Sequence, residues 1–200
     1  MQFQGTLTKM KTEIGSPIQY YLVFENDFLH INQLLDKKIS ISFLGYQCMS
    51  CKKEKKIYRQ GFCYDCFYKS AAVGDWIMKP ELSTAHLDIE ERDLAWEKEF
   101  QIAPHYVYLA NSSGIKVGIT RGTQGVIRWM DQGASQAIIF AQVPNRRFSG
   151  DIEVALKSHV ADKTNWRKML SATPEKVDLV AMKNHLTQFV PQPLKKYITI

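Results

Sequence analysis

The 200-residue sequence predicts an α+β protein, and three observations carry that expectation. The first 47 residues are rich in β-branched and aromatic segments that lack helical spacing. Four cysteines then crowd into residues 48–66. From about Pro104 a hairpin pattern is followed by helical and strand patterns in turn. The chain therefore divides into a β-rich segment (1–47), a cysteine module with a linking helix (48–103) and a segment (104–200) built on a small antiparallel sheet flanked by helices, ending in a helix and a strand.

Taken in order, "GTLTKM", "IQYYLVF" and "KKISISFLG" read as strands, the last alternating Ile39, Ile41 and Phe43. "FYKSAAVGDW" starts a short helix that breaks at Lys79-Pro80. "HLDIEERDLAWEKEFQ" reads as a helix with Ile89, Trp96 and Phe100 on a narrow apolar stripe. After the hairpin, "TQGVIRWMDQ" is a short helix and "SQAIIFAQV" a buried strand. "SGDIEVALKSHVAD" is a helix with Ser149 as N-cap and Ile152, Leu156 and Val160 inward. "TNWRKML" forms one more turn, with Trp166 in the core. "TPEKVDLVAMKNHLTQF" has Thr173 as N-cap, Pro174 at the first helical position, and Val177, Val180, Leu186 and Phe189 inward. "KKYITI" closes the chain as a strand returning to the N-terminal sheet.

Composition narrows the function classes. Hydrophobic residues at 45% and charged residues at 23% are globular values. A net charge of +6 and a pI near 9.1 favour an anionic partner, with nucleic acid, DNA or RNA, first among them. "YYLVF" and "AIIFA" are strand-sized, so no membrane partner is expected. The opening "MQFQGTLTKMKTEIG" lacks a signal-peptide pattern, which points to the cytoplasm and to reduced thiols. Protein partners are left open.

"CMSCKKEKKIYRQGFCYDC" sets Cys48 and Cys51, then Cys63 and Cys66, as two CxxC knuckles. Each knuckle brings two thiolates to one point, and the loop between them lets the second pair complete a tetrahedron. A redox pair or unrelated buried thiols would not need two matched knuckles in so short a span. The expectation is a structural Zn²⁺ in a zinc-ribbon-like module, with four sulfurs leaving no position open for water. The loop carries Lys52, Lys53, Lys55, Lys56 and Arg59 beside an aromatic residue, which suits either a phosphate backbone or a solvated loop.

In "HYVYLANSSGIKVGIT" a three-residue loop, Ser112-Ser113-Gly114, sets Asn111 opposite Ile115 and Tyr108 opposite Gly118. Val107, Leu109, Ile115, Val117 and Ile119 then share a core face. Tyr106, Tyr108, Ala110, Lys116, Gly118 and Thr120 share the other. That face is either solvated or a site in which Lys116 lowers the Tyr108 phenol pKa and Gly118 leaves room for a substrate backbone.

These residues resemble a known family. "VYL", "KVGIT", an arginine ten residues after the glycine and a glutamate on a later helix are similar to the GIY-YIG endonuclease core. More specifically, Phe62 through Leu170 resembles an uncharacterised bacterial family in which a four-cysteine zinc module precedes a GIY-YIG-like domain. The matching segments here are "VYLA", "KVGIT", "RWMDQGA" and "KTNWR". The resemblance implies a divalent-metal-dependent nuclease. In it Tyr108 helps activate water, Lys116 and Arg128 hold phosphate, Glu153 binds a catalytic Mg²⁺ or Mn²⁺, and Asn165 matches a later asparagine. Lys116 and Gln132 depart from the family's usual tyrosine and histidine, which leaves a non-cleaving nucleic-acid or ribonucleoprotein binding module as the alternative. A zinc-stabilised protein-interaction factor is a third possibility beside nuclease and nucleic-acid binding module. Gly118, Arg146 and Arg147 join the expected nucleic-acid contacts. Each residue also has a plainer reading: Arg128 on a solvated helix face, Glu153 paired with Lys157, Asn165 as a helix cap.

Overall fold

The structure, a computed structural model, describes residues 2–161, 163, 165–171 and 175–199. These fall into two compact units, Met1–Ser70 and Ala71–Ile200. The architecture is mixed α and β, with one three-stranded antiparallel sheet in each unit.

In the first unit β1 (Lys11–Glu13), β2 (Gln19–Val23) and β3 (Phe28–His30) form a meander. Tyr21 stacks on His30 at 4.6 Å and meets Phe28 edge-on at 5.6 Å. "IQYYLVF" is thus the central strand, while "GTLTKM" contributes only a single bridge from Leu7 to Phe24. The expected strand at "KKISISFLG" does not form, and Ile39, Ile41 and Phe43 are exposed. Alternation marks a strand with two unlike faces but supplies no neighbour to pair with, and β3 holds the sheet edge instead.

The second unit is built on β4 (His105–Asn111), β5 (Ile115–Arg121) and β6 (Gln136–Val143), in the order β5-β4-β6. The hairpin register is the expected one: Asn111 pairs with Ile115 and Tyr108 with Gly118, and Gly114 takes a positive φ of 140° in the loop. Val107, Leu109 and Val117 are fully buried with Phe140, Ile152, Leu156 and Leu186. The last three come from α5 (Arg146–Leu156) and α7 (Leu179–Leu186), which complete the core. Residues 71–103 belong to this same unit, whose division from the first falls before Pro104. They hold α2 (Asp75–Met78) and α3 (Leu94–Gln101), and Trp76, Trp96 and Phe100 pack there with centroids 5.2–5.8 Å apart.

Several helix boundaries differ from those expected, each for a visible reason. α3 begins at Leu94 because Asp93 caps it, and the buried Glu97 carboxylate accepts the amides of Glu91, Arg92 and Asp93, which fixes the acidic run as a turn. Asn145, not Ser149, caps α5; Ser149 lies inside the helix and donates to the Arg146 carbonyl at 2.6 Å. α7 starts only at Leu179, capped by Asp178. Upstream, Asn111 and Gln136 claim the backbone of Glu175 and Val177, which keeps that stretch out of the helix. Val180 is consequently exposed. Thr164, Thr173 and Pro174 lie outside the described residues. The described C-terminal residues join the second unit's sheet in place of the expected first. They form a 3-10 helix, Gln192–Tyr197, after which Ile198 bridges to Ala141 and Thr199 bonds to Phe140.

Candidate functional site

The four cysteines converge, with all their sulfurs within 4.8 Å of one another. Lys52 takes a positive φ just after Cys51, the bend that turns the first knuckle back on itself. The second pair straddles the start of α1 (Tyr64–Lys69): Cys63 is its N-cap and Cys66 lies in its first turn. One pair thus comes from a loop and the other from a helix start that follows the tight antiparallel turn bridging Arg59 and Phe62. The Cys63 amide donates to Cys48 Sγ at 3.3 Å. Burial opposes ionisation of Cys48, but amides of Cys63, Cys51 and Ser50 together carry its thiol down to about 6. Cys66 accepts a hydrogen bond from Ser50, yet burial and the three other cysteines push it up to about 11. A divalent cation is what allows four such close thiols to ionise together. The set can hold a metal such as zinc, in a closed structural site.

The basic loop has a local use. Four thiolates around a dication leave a net charge of −2, and positive side chains beside it offset that charge. Lys55 is so placed: it pairs with Asp65 at 2.8 Å, and the charges of Cys63 and Cys51 raise its pKa further. Arg59 lies over Tyr58 at 5.4 Å. Lys52, Lys53 and Lys56 are exposed.

In the second unit, four of the five residues expected to be catalytic come together. Tyr108, on β4, is 1% exposed, and its hydroxyl donates to Gln132 Oε1 at 2.9 Å. Arg128 sits on α4 (Gly125–Asp131) one helical turn before Gln132, and its guanidinium interacts with the phenol. The Glu153 charge, from α5, also reaches the phenol. Lys116, on β5, is buried and feels the Arg128 charge. Trp129 meets the Tyr108 ring edge-on at 6.1 Å.

The electrostatics run opposite to the expected activation of the phenol. Burial raises the Tyr108 pKa, and the opposing positive charge is Arg128 rather than Lys116. Burial, with Arg128 adding to it, lowers Lys116 to about 8. Near neutral pH the phenol is therefore a neutral hydrogen-bond donor. Gly118 also differs from expectation. A Cβ there would lie 2.6 Å from both Cζ and the hydroxyl of Tyr108, so the room it leaves is filled by the tyrosine ring.

Other expected residues lie elsewhere. Asn165 caps α6 (Trp166–Ser171) by accepting the Lys168 amide at 3.1 Å, while its own amide donates to Ser113 at the hairpin tip. Arg146 is not a rim cation: it donates to the carbonyls of Trp76 and Ile77 at 3.1 and 2.8 Å and lies over the Trp76 ring. Arg147 forms a two-oxygen ion pair with Asp151. Glu153 pairs with Lys157 at 3.6 Å. Trp166, expected in the core, is 59% exposed. Gln132, read in the sequence only as a departure from the family's histidine, is the acceptor of the Tyr108 hydroxyl, and Trp129 against the same ring was not foreseen.

The fold and cysteine centre define an α+β protein with a metal-competent four-cysteine module and a sheet-borne polar cluster. Residues 36–199 match the family described as "Protein of unknown function (DUF2797)", and the chain belongs to that family. No curated protein and no solved structure matches it. Among the described residues, no helix is long and apolar enough to cross a membrane.

Proposed function

We propose that the second unit is a GIY-YIG-like, divalent-metal-dependent nuclease domain acting on DNA or RNA phosphodiesters, with the cysteine module as a zinc-stabilised accessory. One observation carries the reading: α4 sets Arg128 against the Tyr108 phenol of β4, and α5 sets Glu153 within electrostatic reach of it. The order of elements supports it, with hairpin, arginine helix, strand and glutamate helix in the succession the resemblance implies.

In this reading Arg128, exposed on α4, engages a phosphate oxygen through paired donors. Lys116 adds positive charge behind it, and Tyr108 assists the attacking water once its hydroxyl exchanges Gln132 for that partner. Glu153 is mostly shielded from solvent and suits a cation that takes few protein carboxylates. Glu153 would hold the magnesium or manganese ion, whose chemistry when bound would be Lewis-acid stabilisation of phosphate charge.

The burial of Tyr108 and Lys116 favours a second reading, a non-cleaving nucleic-acid binding module. Incubating single- and double-stranded DNA and RNA with magnesium or manganese separates the two. Cleavage by the wild type and its loss in Glu153→Gln, with the melting curve unchanged, supports the nuclease. Salt-sensitive binding without any cleavage supports the binding module.

A further inference from the structure

The strongest feature outside the phenol cluster is a surface depression of about 550 Å³ around α6, lined by Lys163, Asn165, Trp166, Arg167, Lys168 and Ser171. It is shallow and open to solvent. Among the described lining residues three are cationic and none is acidic. Arg167 lies over the Trp166 indole at 5.1 Å, and the indole stays largely open to solvent. The exposed indole therefore presents an aromatic face beside these cations.

α6 is tied to the parts that carry the phenol cluster. The Asn165 amide donates to Ser113 Oγ at the tip of the β4–β5 hairpin. Met169 packs on Gly133, where a Cβ would meet its sulfur at 2.7 Å. Gly133 lies five residues beyond Arg128 and directly follows Gln132. A strand whose phosphate reached Arg128 would therefore have the α6 depression beside it.

Resting on the phosphodiester reading above, we infer that this depression is a binding site for an unpaired nucleotide, with the base stacked on Trp166 and flanking phosphates held by Lys163, Arg167 and Lys168. The chemistry favours single strands. A base in a duplex already has both faces stacked, whereas an unpaired base offers one to an aromatic ring. Arg167 against the indole extends the stack, and the cations give the salt dependence expected of a backbone contact.

The test measures binding of the full-length protein to a fluorescein-labelled 12-nucleotide oligouridylate or oligothymidylate, and to a duplex of matched length. No divalent cation is added, so binding is read apart from cleavage. Wild type is expected to prefer the single strands. Trp166→Ala should weaken that binding by about 5- to 150-fold, the equivalent of roughly 1–3 kcal/mol of base stacking, while Trp166→Phe retains most of it. Lys163→Ala with Lys168→Ala should reduce the slope of log affinity against log salt by about 1.4. Because Trp166 is exposed, circular dichroism of these variants should match wild type. Equal binding by Trp166→Ala and wild type overturns the inference, as does equal affinity for duplex and single strand. Binding to phosphatidylglycerol vesicles without binding to oligonucleotides also overturns it. Trp166-dependent binding by a protein that never cleaves supports the site and fails only the nuclease reading. Cleavage untouched by Trp166→Ala, with KM unchanged, does the reverse.

Discussion

Replacing Gly118 with alanine separates two explanations of that glycine by the sign of the stability change. Were the space over Gly118 open for a substrate, the added methyl would touch nothing. It would then stabilise the protein by about 0.4–1 kcal/mol, by restricting the unfolded chain. The structure puts the ring of Tyr108 there instead, with two atoms 2.6 Å from the new methyl position. Tyr108 has little room to yield, since it is fully buried and its hydroxyl is held by Gln132 at 2.9 Å. Forcing a methyl into a packed site costs about 1–3 kcal/mol. Losing the Tyr108–Gln132 hydrogen bond adds roughly 1 kcal/mol. After the opposing gain, Gly118→Ala is expected to destabilise the protein by about 1–3 kcal/mol.

Urea denaturation followed by far-ultraviolet circular dichroism measures this directly, as a lower midpoint at constant slope. A double-mutant cycle then assigns the cause. In a Tyr108→Leu background the ring is gone, and Gly118→Ala should become neutral or stabilising. A Gly118→Ala protein as stable as wild type, or a loss of the same size in the Tyr108→Leu background, would refute the packing argument.

Two further outcomes are expected. Cys51→Ser should lose stoichiometric zinc by elemental analysis and unfold the cysteine module, and a melting curve unchanged by chelator would sink the metal assignment. His105 is fully buried, bonds to the Ala103 carbonyl at 2.7 Å, and is carried down to about 4 mainly by burial. Its folded-state pKa lies below the unfolded value near 6.5, so its stabilising effect is complete above that pH and fades as pH falls towards 4. The change is on the order of 3 kcal/mol, and a His105→Gln variant should show a flatter acid limb in its stability profile. An identical acid limb in the variant would refute it.

What the sequence revealed depended on whether a local rule was enough. The hairpin register was legible because loop length and side-chain alternation are both local, and the structure pairs Tyr108 with Gly118 as expected. The cysteine cluster was legible because two short knuckles constrain each other. Burial was less legible. The Tyr106–Thr120 face reads as a possible open surface, yet Tyr108, Ala110, Lys116 and Thr120 are all buried. Their cover includes Trp129 from α4 and Gln132 just after it, a long-range contact that no periodicity encodes. The start of α7 was hidden for the same reason: Asn111 and Gln136 reach Glu175 and Val177 from strands distant in sequence.

The positive charge of the chain is a case where placement outweighs total. A net +6 suggests a broadly basic surface, but many of the cations have local duties. Arg146 serves two carbonyls, Arg147 serves Asp151, Lys183 bonds to Ile139 and Thr199, and Lys55 lies between Asp65 and the cysteine centre. Such groups have already given up water for fixed partners, and a phosphate would have to displace those partners to gain from them. Around α6 three cations line one depression, with no acid among its described lining residues. Screening by salt acts most strongly on exposed charges, so the salt dependence of nucleic-acid binding should track Lys163 and Lys168 far more than Arg146. A basic total therefore signals an anionic partner only through those cations that folding leaves at the surface without a carboxylate or carbonyl to serve.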